Sequence, residues 1–463
     1  MKIIDRIRKK VEPSKDYIFQ ELIIADSKVS LIYNETLCDG KSINEFVMYR
    51  LTTFDDKKLH DLKNNLPNCN TLIIPDNQIL NYLNNGFVIV IFDFIYACEF
   101  KSSAERTVSL VQSELSLGGS KDSFTENYNV CLGLIRKRIR DSRLKVLNII
   151  VGKYTNTKIG ILYIDDIVKM DLVYHVYEKL KKIDIDGIID SSYLKFSLEN
   201  NNLFPTILMT ERPDKASMAL LEGKIVLLVD NSPYALILPS FFIDFFHTAD
   251  DYFQKSFNAS FIRVIRLVAF FISIFLPAIY ISITTRNYDL VPSSLLFTLK
   301  AGRSFVPFPA YLEALFMIIC FEILKESDLR MSTTSGSAIS ILGGLVLGNA
   351  AVSAGVVSPI MIIIIAISSI SGLIFSSIEL GNALRMYKIL LLILASLFGI
   401  YGVLMGFSIL LYNIFSTEVF GYKYLYFDKN EIKDSILKFD TKIRRRNSKL
   451  TKNIIRGRYK WKE

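Results

Sequence analysis

The chain has 463 residues, of which 22% are charged, yet its mean hydropathy is +0.31. The length excludes one ordinary compact domain, and high charge beside high hydropathy excludes a soluble protein that mixes the two at helical or strand periods. The net charge of +9 sits mostly at the C-terminus beside apolar segments, where basic residues mark cytoplasmic topology, so nucleic acid is not an expected partner.

Residues 1 to about 15 read as a charged, mobile arm, and without an apolar run and small-residue cleavage site no signal peptide is expected. The polar half is therefore expected in the cytoplasm. Residues 71–74 and 87–92 are apolar runs of strand length, with Asn84-Asn85-Gly86 as a turn before the second. They place a first α/β subdomain within residues 1–112.

A second α/β subdomain is expected over 113–240. Ser123-Phe124-Thr125-Glu126 reads as a capping box opening a helix. Tyr128, Cys131, Leu132, Ile135 and Ile139 then form an apolar stripe at helical spacing. The opposite face carries Arg136, Lys137, Arg138 and Arg140. Such a face is either solvated or meets a partner or anionic headgroups, which makes Arg136, Arg138 and Arg140 the candidate interface. Strands are expected at 146–151 and 159–164, a helix at 168–182, and a hairpin at 225–229 and 234–238. The helix before that hairpin has Pro213 in its first turn and Gly223 just past its end.

Residues 241–262 mix Phe241, Phe242, Phe245, Phe246, Tyr252 and Phe253 with Asp244, Asp250 and Asp251. Rings beside charges suit an interfacial amphipathic helix. A transmembrane domain follows over 263–415, because a helix needs about 20 apolar residues to cross the hydrocarbon. Expected spans are 267–283, containing Pro277, then 306–324, a broken 338–376 region, and 389–412 with Gly399, Gly402 and Gly406. Glu313 and Glu322 are the intramembrane polar residues, expected to face a protein interior or a watery path. Four spans, with half of the 338–376 region re-entrant, leave the basic tail 416–463 on the cytoplasmic side together with the N-terminal region.

Small residues dominate the first part of that broken region. Gly343, Gly344, Gly348 and Gly355 are candidates for close helix packing. Asn349, Val352, Ser353 and Val356 recur at spacings of three and four on one stripe. Ringed by several subunits, they would form a constriction that gates by dewetting. Packing of small residues within one chain is the plainer reading.

Catalytic patterns are missing. The five cysteines form no C-x-x-C pair, and three histidines leave little for a metal site, so neither metal nor cofactor is expected. Gly118-Gly119-Ser120-Lys121 falls short of the G-x-x-x-x-G-K-[ST] spacing. No G-x-S-x-G or H-E-x-x-H occurs. A non-enzyme is expected: a channel, a carrier or an anchored sensor.

Several stretches taken together resemble a known family. They are Asp122-Ser123-Phe124-Thr125-Glu126-Asn127, Leu134-Ile135-Arg136-Lys137-Arg138-Ile139-Arg140-Asp141, Thr210-Glu211-Arg212-Pro213-Asp214 and Leu221-Glu222-Gly223-Lys224. Val306-Pro307-Phe308-Pro309-Ala310, Glu313-Ala314-Leu315 and the small-residue stretch from Gly343 to Pro359 continue the pattern. Over about two-thirds of its length the chain resembles the A subunit of the GerA-type spore germinant receptors. The resemblance implies a protein of the spore inner membrane, in contact with lipid, working with a permease-like B subunit and a lipoprotein C subunit. It implies a homo-oligomer that builds a channel, opened when nutrients trigger release of monovalent cations and then dipicolinate. A non-conducting relay subunit and a relative tied to the dipicolinate channel are the alternatives. Where the family often has Pro-Ile-Gly-Gln, this chain has Thr334-Ser335-Gly336-Ser337.

Overall fold

A computed structural model describes residues 2–24, 27–66, 71–101, 114, 118–199, 202–330, 344, 348–375, 377–425, 438 and 450–451. The chain divides into two units. One comprises Met1–Asn200, Thr206–Ser240 and Phe439–Glu463, and the other Asn201–Pro205 and Phe241–Lys438.

The first unit opens with α1 (Lys2–Val11), a helix where a mobile arm was expected. Ile7 and Val11 lie one turn apart and are both buried, so the charges flank an apolar stripe rather than replace it. Two sheets follow. The first contains β1 (Tyr17–Ile24), β2 (Ser27–Asn34), β3 (Leu72–Ile73), β4 (Phe87–Ile91) and β5 (Ile95–Glu99), in the order β1-β2-β4-β5-β3. The second contains β6 (Leu144–Val151), β7 (Thr157–Ile164), β8 (Leu208–Thr210), β9 (Ile225–Val229) and β10 (Ala235–Leu238), in the order β6-β7-β9-β10-β8. Both are antiparallel throughout, and both arrange their strands first, second, fourth, fifth, third. The unit is thus one topology built twice. Each copy starts with an eight-residue hairpin, Tyr17 opposite Asn34 and Leu144 opposite Ile164.

The longer helices of this unit are α2 (Ile79–Leu83), α3 (Tyr128–Arg138), α4 (Met170–Lys181), α5 (Ser191–Leu198) and α6 (Pro213–Leu221). The capping box is not formed. Asn127 caps α3, its side chain accepting from the N–H groups of Asn129 and Val130, while the Ser123 hydroxyl donates to the Phe124 carbonyl. The helix starts at Tyr128, four residues later than a box at Ser123 requires, so its first-turn donors lie within reach of Asn127 and not of Ser123.

In the second unit, residues 241–262 do not form one amphipathic helix. A 3₁₀ turn (Phe242–Phe246) and a short helix (Asp250–Phe253) precede α7 (Ser256–Thr285). The reason is Asp251. Its buried carboxylate accepts from Arg263 Nε (3.1 Å) and Arg266 Nη1 (2.9 Å), so the charges pair inward instead of forming a wet face. Phe242 and Phe246 join Phe204, Phe270, Tyr387 and Tyr424 in an aromatic cluster.

Helix α7 continues through Pro277. The carbonyl of Ser273, deprived of its helical donor by that proline, accepts instead from the Ser368 hydroxyl at 2.8 Å. Ser368 lies on α10, which follows α8 (Ser293–Ala301) and α9 (Ala310–Arg330) and spans Pro359–Gly372. The chain then forms α11 (Ile378–Phe398) and α12 (Ile400–Ser416).

The expected span at 389–412 is in fact the corner of a helical hairpin. Gly399 adopts φ +63° between α11 and α12, a conformation a β-carbon disfavours. Gly402 and Gly406 then let α12 lie directly on Leu394 and Leu391 of α11. Among the described residues, two helices, Ser256–Thr285 and Glu379–Phe398, are long and apolar enough to cross a membrane, where four spans were expected of the chain. The apolar helices Pro359–Gly372 and Ile400–Ser416 are shorter, while the charges of α9 break up its apolar character.

Candidate functional site

Residues 348–353 form the described end of the small-residue helix. Asn349 and Ser353 are exposed and Val352 is half-buried. A β-carbon added to Gly344 or Gly348 would meet nothing within 4 Å. Among the described residues, the β-carbon positions of these two glycines thus face open space. Gly343 lies outside the described residues.

The helix ends in a Schellman motif. Val356 N–H donates to the Ala351 carbonyl and Gly355 N–H to that of Val352, with Gly355 at φ +67°. Gly355 is thus a turn residue, and its added β-carbon would lie 3.1 Å from the Phe305 carbonyl oxygen. Val356 falls past the helix end, so the stripe expected to include it stops at Ser353.

Two residues on, Ser358 is the N-cap of α10. Its N–H (3.1 Å) and hydroxyl (3.0 Å) both donate to one oxygen of Glu313, whose other oxygen accepts from Arg303 Nε (3.1 Å) and Nη2 (2.9 Å). Glu313 is 1% exposed and satisfied on both oxygens. It stands in the first turn of α9 and at the start of α10, where two helix dipoles favour its charge. Tyr280 of α7 is buried beside this cluster. Glu322 sits elsewhere, in a partly exposed ion pair with Arg385 at 2.9 Å.

The arginines expected to form an interface behave differently from one another. Arg136 is 1% exposed and holds both carboxylate oxygens of Asp16, with its Nη1 on the Leu144 carbonyl and its guanidinium over the Tyr17 ring. Burial works against its charge, but the Asp16 carboxylate holds its pKa above the ordinary value. The chain leading into β1 covers this face of α3, so Arg136 is neither solvated nor available to a partner. Arg138 pairs with Asp122 and also reaches the Ser120 hydroxyl. Arg140 alone is exposed, its Nη1 on the Asn85 side chain at 3.2 Å.

A second cluster gathers around Glu114. Its carboxylate accepts from the Thr210 hydroxyl (2.5 Å) and Lys215 Nζ (2.8 Å), its N–H donates to Glu211, and its carbonyl accepts from Arg212. Arg212 also reaches the Ser120 carbonyl and Asp214. One of the stretches that carried the resemblance, Thr210–Asp214, lies in this cluster, and Ser120 links it to Asp122 and Arg138 of two others. Sequence reasoning missed Asp16, Glu114 and Arg303, since an acid or base far along the chain carries no local signal of its partner.

A family model described as Bacillus/Clostridium GerA spore germination protein matches residues 5–450. The match includes the first hundred residues, which carried no resemblance by motif. The chain is 33% identical over 433 residues to Spore germination protein GerQA of Bacillus cereus, covering 92% of this chain and 87% of that one. It is 32% identical over 457 residues to Spore germination protein KA of Bacillus subtilis (strain 168), covering 94% and 84%. Among solved structures, the N-terminal domain of the A subunit of the Bacillus megaterium spore germinant receptor GerK3 aligns with a TM-score of 0.40 and 24% identity, over 52% of this chain and 94% of that one. With the family pattern running through nearly its whole length, the chain belongs to the GerA family of spore germination proteins.

Proposed function

We propose that this chain is the A subunit of a nutrient-responsive germination receptor, a multi-pass protein of the spore inner membrane. Copies of it assemble with a permease-like B subunit and a lipoprotein C subunit into a germinant-gated channel for monovalent cations. It acts by gating, not by catalysis.

The observation that carries the channel reading is the small-residue helix. It offers Asn349 and Ser353 outward, with open space at the β-carbon positions of Gly344 and Gly348 among the described residues, while its far end is fixed by the Schellman turn and the Glu313 anchor. Such a face fits copies of itself around an axis, where close approach needs small residues. Orientation follows from the tail. Thr451 pairs with Val168 inside the α/β unit, which supports an even number of crossings and both ends in the spore core.

The test is potassium efflux from cells producing the whole receptor, wild type against Val352→Ala. Leakage without nutrient in the variant supports the constriction. Tight cells in both cases, with assembly confirmed and nutrient without effect, turn the reading to a relay subunit whose pore lies elsewhere.

A further inference from the structure

The two copies of the sheet topology differ in how they are closed, and the difference involves the C-terminal tail. In the first copy, β2 ends at Asn34, and Cys38 forms an antiparallel bridge with Lys101. The next N–H, that of Asp39, donates to the carbonyl of Phe100 at 3.0 Å. Phe100 and Lys101 follow β5 directly in sequence. In the second copy, β7 ends at Ile164, and Val168 forms the equivalent bridge with Thr451. The next N–H, that of Lys169, donates to the carbonyl of Leu450 at 2.9 Å.

The surroundings correspond as well. A β-carbon on Gly86 would meet Leu37 and Lys101, and one on Gly223 would meet Ile167 and Thr451. Phe100 is 8% exposed and Leu450 is fully buried. Bridge, hydrogen bond and glycine neighbours therefore agree on one assignment: Leu450 stands for Phe100, and Thr451 for Lys101. After β10 the chain leaves for the helical unit, and the residues that close the second copy come back only at the end of the sequence.

We propose that the C-terminal tail is the closing segment of the second α/β repeat, and that the groove formed by Val168, Lys169 and Gly223 is a docking site for it. Twelve residues before Leu450, Lys438 is fixed in the helical unit, its Nζ donating to the carbonyls of Tyr252 (3.2 Å) and Gln254 (2.7 Å) and its N–H to the Ser260 hydroxyl. Nothing in this assignment depends on whether the helical unit conducts ions.

The first repeat supplies an internal control. Amide exchange in the full-length protein, wild type against a chain ending at Lys449, reads the two equivalent N–H groups side by side. The expected result is at least tenfold faster exchange at Lys169, with Asp39 unchanged and Lys169 protection restored by a synthetic peptide of residues 439–463. Unchanged protection at Lys169 overturns the proposal. If both amides lose protection in the truncated chain, Leu450→Ala decides: loss at Lys169 alone supports the closing segment, and loss at both or at neither overturns it.

Discussion

Arg136 reaches back 120 residues in sequence to Asp16, donating from Nε at 2.9 Å and Nη2 at 3.1 Å to a carboxylate as buried as itself. Removing one partner of such a pair leaves an uncompensated buried charge, at a cost of about 3–5 kcal/mol. Arg136→Met is therefore expected to lower the unfolding free energy of the α/β unit by about that amount. Arg140→Glu, at an exposed position, is expected to stay within about 0.5 kcal/mol of wild type. Denaturant unfolding followed by far-ultraviolet circular dichroism separates the two.

Glu313→Ala strands the Arg303 guanidinium and strips the N–H and hydroxyl of Ser358 of their acceptor. The end of the small-residue helix should loosen. Ser353→Cys then reports the change: its alkylation by N-ethylmaleimide is expected to quicken several-fold in the Glu313→Ala background and less in Ser358→Ala. Equal rates in all three backgrounds would show that Glu313 does not position this helix.

Two glycines make opposite predictions. A β-carbon at Gly402 would lie 2.0 Å from the Leu394 carbonyl oxygen, so Gly402→Ala must push α11 and α12 apart, at about 1–3 kcal/mol or more. Accumulation in membranes and resistance to heat in detergent should both fall. Gly344→Leu meets open space among the described residues and is expected to leave both unchanged. A loss of oligomer on native gels in that variant would show that the space belongs to a neighbouring copy.

Lys195 on α5 offers a pH test. Burial pushes its ammonium down to about 8, against the opposing pull of Glu199. Between pH 8 and its ordinary value of 10.5, the unfolded chain holds more protons than the folded one, so stability rises with pH across that window. Below about pH 8 both states are protonated and the penalty is constant. Lys195→Met should abolish the rise and raise the melting temperature at neutral pH. A melting curve with the same pH slope in both proteins would rule this out.

Much of the second sheet was legible because β6, β7, β9 and β10 are continuous apolar runs. The first hairpin was not. Gln20 and Glu21 interrupt β1, and Ser27, Lys28 and Ser30 dilute β2, so its exposed face hid the strand period. The arm became a helix for a related reason: its buried stripe of Ile7 and Val11 is too sparse to stand out among lysines. In the helical half, composition located the apolar stretches but not their ends. Gly399 looked like one more small packing residue until its positive φ made it a corner, and Val356 looked like part of a stripe until Gly355 ended the helix before it. At the candidate site, the small residues were readable, whereas the Arg303–Glu313–Ser358 anchor joins positions too far apart for any local pattern to link.

The pairing of Val168 with Thr451 also sets an order of events during synthesis. The strands of the second sheet leave the ribosome early, yet the residues that close it are made only after every helix of the other unit. The α/β half is thus unfinished until translation is nearly complete. A chain that stalls or terminates early leaves the Lys169 N–H and the segment after β7 without the partners that Leu450 and Thr451 supply.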